Sequence, residues 1–210
     1  MSNRYTRILA AAGAAAVLAA TVGVPAALAA GTWTVQPGGG VQATSGLVNI
    51  RDTMTGTLLT CVRSAASGTV KSGSGLPGSQ AGSLSVVRFP ICNAGPVPMT
   101  VQAGGLPWHV NLSSYNAATG VARGTIGHVR LTTSGSGCTT VIDGTSATAD
   151  DGRVVFRYTD STGQLKLLTT SSNLHYYDVS KGCLGIVNDR DPATLSATYT
   201  VTPKQSITSP

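Results

Sequence analysis

The chain contains no glutamate; all eight of its acidic residues are aspartate. A glycosidase of the usual kind sets two carboxylates across one bond, so both would have to be aspartates, and most of these stand at turn positions. Lysine and arginine never run together. Arg123, Arg130, Arg153 and Arg157 alternate with apolar or small residues, as solvent-facing strand positions do, so no nucleic-acid footprint is expected. Aromatic residues make up only 5% of the chain, and a core of this size needs several of them. With glutamate absent, lysine scarce and Thr, Ser, Gly and Val abundant, strands and turns are favoured over helices. A nucleophile elbow is lacking too, because Gly73-Ser74-Gly75 and Gly135-Ser136-Gly137 read as loop glycines. No two cysteines have close ligand spacing and the three histidines lie apart, so no metal and no cofactor is expected.

What is present starts with an export signal. Arg4 and Arg7 precede an apolar, alanine-rich run that ends at Ala27-Leu28-Ala29, a small-x-small cleavage site. Residues 1–29 are therefore expected to be a signal peptide, with the mature chain starting at Ala30 and no membrane span left after cleavage. Residues 30–202 read as one secreted β domain and residues 203–210 as a C-terminal tail. Loss of the two leader arginines lowers the formal charge of +6 by two, leaving a mildly basic surface.

Four cysteines in an exported chain predict two disulfides, and four cysteines allow three pairings. Cys61–Cys92 and Cys138–Cys183 are preferred, since each pair brackets its own hairpin-like segment. Period-two alternation marks the strands. Val154, Phe156 and Tyr158 share one face against Arg153, Val155 and Arg157; Leu195, Ala197, Tyr199 and Val201 share another against threonines and Ser196. In the run from Ser83 to Cys92 the alternation changes phase at Val86-Val87, predicting a bulge or burial on both faces. Pro96 and Pro98 suggest that the strand through Val97 and Val101 lies at an edge. Residues 64–82, rich in Ser and Gly, read as a long loop with at most a short strand at Thr69-Val70-Lys71. The expected fold is an all-β antiparallel sandwich or barrel-like meander with two disulfides.

One turn chemistry recurs. Asp52, Asn116 and Asp160 each stand a few residues before Thr-Gly, at Gly56, Gly120 and Gly163, and Asp143-Gly144 and Asp150-Asp151-Gly152 form further tight turns. The acidic residues are thereby largely assigned to chain reversal. Asp189 and Asp191 are the densest acidic cluster, but Arg190 divides them and no glycine-centred loop completes a calcium motif. His109, His128 and His175 fall at outward strand phases, so no catalytic residue is assigned. His175 and Tyr177, opposite in phase to Leu174 and Tyr176, are the leading ligand-facing candidates, with Tyr115 and His109. Their rings offer contact area with a polar handle for a sugar or peptide.

The segments Gly56-Thr57-Leu58-Leu59-Thr60-Cys61, Leu106-Pro107-Trp108, Ser114-Tyr115-Asn116-Ala117-Ala118-Thr119-Gly120 and Gly182-Cys183-Leu184-Gly185 together resemble a group of secreted β-rich proteins of actinomycetes. The resemblance implies export and a disulfide-bearing β domain. It transfers no catalytic residue, because that group has no established activity. The expected function is a secreted, non-catalytic extracellular or cell-surface module, either binding or structural, whose partner is a glycan, a cell-wall polymer or a protein. A small secreted hydrolase and a secreted inhibitor or toxin-like protein are the alternatives.

Overall fold

The computed structural model describes residues 32–183 and 185–209. The expected signal peptide lies outside them. In chain order the strands are β1 (Trp33–Gln36), β2 (Gly39–Ser45), β3 (Val48–Asp52), β4 (Leu58–Cys61), β5 (Ser64–Val70) and β6 (Gly73–Leu76). There follow β7 (Gly82–Ala94), β8 (Val97–Gly104), β9 (Trp108–Asn116), β10 (Val121–Gly127), β11 (Arg130–Gly135) and β12 (Cys138–Asp143). The last six are β13 (Arg153–Thr159), β14 (Gln164–Leu168), β15 (His175–Tyr177), β16 (Ala193–Ser196), β17 (Thr198–Thr202) and β18 (Ser206–Thr208). A short 3-10 turn, Lys181–Cys183, is the one helical element among the described residues.

Eight of these strands close an antiparallel barrel in the order β7-β5-β2-β17-β14-β13-β10-β9, and β9 returns to β7. β3, β4, β8, β11, β12, β15 and β16 curl into a second ring that shares β7. The C-terminal half of β7 pairs with β8 on one side and β4 on the other. From β8 the ring runs through β11 and β12 to β15; from β4 it runs through β3 to β16. It closes where His175 bridges Pro192, Tyr176 N–H donates to Asp191 O at 2.9 Å and Ala193 N–H donates to Leu174 O at 2.8 Å. A three-stranded sheet, β18-β1-β6, covers the end of the first barrel away from the second ring. There Val35 is fully buried, and Trp33 and Ile207 nearly so.

The inward phase of each barrel strand carries the core, as the alternation predicts: Val154, Phe156 and Tyr158 of β13, and Tyr199 and Val201 of β17, are all buried. The phase change in β7 comes from a bulge. Ser67 faces Val86 while Gly68 faces Leu84, so Ser85 is the extra residue and Ser85 and Val86 both point outward. A second register shift lies between Phe89 and Cys92, where β7 passes from the first barrel into the second ring.

Both preferred disulfides form, Cys61–Cys92 and Cys138–Cys183, and both lie in the second ring. The first staples β4 to β7 at a directly paired position. The second ties the start of β12 to the 3-10 turn.

Three expectations are corrected. Residues 64–82 are not a loop: β5 is a fully paired barrel stave, and β6 belongs to the covering sheet. β5 escapes the pattern because its inward residues are small, Ser64 and Ala66. Its Gly68 has to be glycine, because a Cβ there would collide with the Ser83 carbonyl oxygen. β8 is not an edge strand, since β7 and β11 flank it. Pro98 is tolerated because β11 pairs with β8 only from Thr100 onward. Residues 203–209, set apart as a tail by the sequence, are built into the fold, with β18 paired to β1 and Gln205 buried.

Loops the size of the two disulfide-closed segments (sequence separations of 31 and 45) restrict the unfolded chain enough to stabilise by about 3.5–4 kcal/mol each. Replacing Cys138 and Cys183 together by alanine is therefore expected to lower the unfolding free energy by about that amount. Urea unfolding followed by tyrosine and tryptophan fluorescence measures it, and an unchanged midpoint refutes it.

Candidate functional site

The densest polar constellation gathers where β12 ends beside β15. Asp143, the last residue of β12, is register-paired with His175 and fully buried. Its Oδ1 accepts N–H bonds from Gly144 (2.7 Å), Gly152 (3.1 Å) and Asp151 (3.2 Å), and its Oδ2 accepts from Asp150 N–H at 3.0 Å. The Arg130 guanidinium Nε stands 3.9 Å from Oδ2. One carboxylate thus folds the whole loop between β12 and β13 around itself, and its lone pairs are spent on main-chain donors. Beside it, Asp151 accepts from the Thr145 N–H (2.8 Å) and hydroxyl (2.7 Å). These bonds from Thr145 hold the Asp151 carboxyl below its ordinary value.

His175 and Tyr177 come together at this corner, as their shared strand phase predicts. The ring centroids are 6.3 Å apart and tilted by 50°. Tyr177 Oη donates to Gly144 O at 2.9 Å. His175 Nδ1 lies 2.9 Å from Asn173 O and 3.3 Å from Gly144 O. Because both neighbours are carbonyl oxygens, Nδ1 is the donor. The imidazole is therefore oriented by backbone rather than by Asp143. Both rings are half-buried.

The other two candidates lie elsewhere. His109 and Tyr115 stand near opposite ends of β9 in the first barrel, roughly 20 Å apart along an extended chain. Tyr115 packs partly against the core. His109 instead meets His128, at a ring-centroid distance of 4.5 Å, across the turn that follows β10. That contact was invisible in the sequence, since it depends on β9 pairing His109 with Gly127. Among the described residues no three His, Cys or Asp side chains converge on a common point.

Turn chemistry holds for two of the three Asx-Thr-Gly segments. Asp52 Oδ1 accepts from Met54 and Thr55 N–H (2.7 and 3.0 Å), and Asn116 Oδ1 accepts from Thr119 N–H at 3.2 Å. Gly56, Gly120 and Gly163 all take positive φ, as those turns require. Asp160 departs from the pattern: its Oδ2 reaches across to Ile207 N–H at 3.2 Å and anchors β18. It lines an open polar cleft of about 770 Å³ with Lys204, Ser161 and Ser72 at the seam between covering sheet and barrel. Burial raises the Asp160 carboxyl above its ordinary value, against the lowering pull of the Ile207 N–H and Lys204.

Fold and site define the molecule as an all-β protein, an eight-stranded antiparallel barrel with extra strands and two disulfides, in which aspartates organise loops. Comparison with protein-family models, curated proteins and solved structures returned no match.

Two outcomes follow. Asp143→Ala strands four main-chain donors and is expected to cost about 3 kcal/mol or more, with Asp143→Asn less damaging; equal stability of the alanine variant and the parent in urea refutes the anchoring role. For Asp160, a raised carboxyl contributes stability that is complete below the ordinary carboxylate range and is lost as pH rises through the raised value. The parent should therefore lose stability relative to Asp160→Asn as pH rises through the acidic range, and the opposite slope refutes the assignment. Asp151 has the reverse sign: its contribution is present above the ordinary value and lost as pH falls through the lowered one.

Proposed function

We propose that this chain is exported and acts outside the cell as a non-catalytic binding module, with the His175–Tyr177 corner as its contact face for a glycan of a wall polymer. The observation that carries the reading is the state of the carboxylates. Asp143, the acid nearest an imidazole in the register, is saturated by backbone N–H donors, and His175 is oriented by carbonyl oxygens. A general base of the triad kind is oriented by an acid, and here the nearest acid is spent on the loop backbone. Export is supported by Arg4, Arg7 and the Ala27-Leu28-Ala29 site together with two disulfides, which persist in oxidising compartments. A glycan is favoured because Tyr177 and His175 present tilted, half-buried rings beside a polar loop, and sugars bind on such mixed faces.

Co-sedimentation with insoluble wall glycan is expected to pull down the mature protein without releasing soluble sugar. Tyr177→Ala should weaken that binding roughly tenfold, the loss of a modest stacking contact of ~1.4 kcal/mol. Release of product that disappears in His175→Ala points instead to a hydrolase. Absence of the protein from both the culture medium and the cell-wall fraction, or a mature N-terminus far from Ala30, removes the export reading.

A further inference from the structure

The first barrel encloses a chamber of about 90 Å³, walled by side chains of all eight staves and stopped by Ile207 of the covering sheet at one end and Leu195 of β16 at the other. An eight-stranded barrel is just wide enough either to be filled by its own side chains or to hold one small ligand. This one falls short of filling because several inward positions are small: Ala43 and Val41 on β2, Ala66 on β5, Ala81 before β7 and Val87 on it. The second ring differs. Its interior carries Tyr176, Ile50, Leu131 and Ile142, all buried, and both disulfides.

The chemistry of the wall decides what fits. Every polar group that reaches it is already paired. Tyr158 Oη donates to Gln205 O at 3.0 Å and accepts from Gln205 N–H at 2.8 Å. Gln205 Oε1 accepts from Gly38 N–H at 2.8 Å, and its Nε2 donates to Pro203 O at 2.8 Å. Tyr199 Oη donates to Ser64 Oγ at 2.9 Å, and Trp108 Nε1 donates to Gly104 O at 2.8 Å. A water molecule needs two to four polar partners, and an apolar hole of ~150 Å³ is known to stay dry and to take benzene or xenon. A polar or charged guest would bury unmatched groups at a cost of several kcal/mol, whereas a hydrocarbon restores the dispersion contacts that the small residues forgo.

We propose that the first barrel is a binding site for one small, uncharged, wholly apolar molecule, a short hydrocarbon or a single unsubstituted aromatic ring. The site is independent of the surface reading given above. Entry is through the covering sheet, because the other end abuts the disulfide-pinned ring. That sheet is tied to the staves by Ile207 N–H to Asp160 Oδ2, by the two Tyr158–Gln205 bonds and by Leu112 N–H to Gly78 O, with Trp33, Val35 and Ile207 buried beneath it, so a guest enters only when these contacts open.

The test uses the mature, oxidised protein with xenon, benzene and phenol. Xenon-pressurised crystals are expected to show density between Ala66, Val87 and Leu167. In solution benzene should shift the methyl resonances of Val87 and Leu167, and phenol, of similar shape with one added hydroxyl, should bind at least tenfold more weakly. Ala66→Leu fills the chamber and should abolish benzene binding while raising the melting temperature. Absence of xenon from the chamber, phenol binding as well as benzene, or undiminished benzene binding by a folded Ala66→Leu protein each overturns the proposal. Should Ala66→Leu fail to fold, the xenon density and the benzene-to-phenol ratio in the parent decide it.

Discussion

Backbone pairing along β7 is the constraint on which the rest of the molecule depends. It is paired on both sides near each end, with β5 and β9 over Gly82–Leu84 and with β4 and β8 over Cys92–Ala94, and largely on one side between them. A strand clamped on both sides at each end cannot slip without exposing its inward residues, because a one-residue shift turns every side chain over. The two irregularities, at Ser85 and between Phe89 and Cys92, let one strand pass from the first barrel to the second ring. Cys61–Cys92 then joins β7 to β4 just beyond the second of them.

The aspartates complement this arrangement. Closed rings leave loops at their ends whose N–H groups lack ladder partners, and each such group has to be satisfied. Asp143, Asp52 and Asp151 do that work for the loops they begin or end. Aspartate, with its short side chain, can turn back on its own main chain, as Asp143 and Asp52 do here. The same economy leaves the histidines without acid partners and sets the chemical character of the exposed corners.

Much of the architecture was legible in the sequence because large inward residues alternate with Arg, Thr and Ser. β13, β14 and β17 announce themselves in that way, as does the disulfide pairing from the hairpin-like segments. β2 and β5 do not, since their inward positions are Val41, Ala43, Ser64 and Ala66 amid glycine and serine. Alternation reports size and polarity, and a stave of small residues carries little of either. The pairing of His175 with Tyr177 was readable because one strand bears both. The contact of His109 with His128 was not, for it arises between strands. The chamber was hidden for a related reason: a small inward residue reads the same whether or not a neighbour fills the space above it.

The pairing of β1 with β18 places Thr34 opposite Thr208, so the first and last described strands lie side by side on the covering sheet. Cargo fused at either terminus would emerge from the same pole, leaving the disulfide-bearing pole unobstructed. Circular permutation becomes practical as well: a short peptide could bridge Thr34 and Thr208, with new ends opened in the exposed reversal at Ser161 and Thr162.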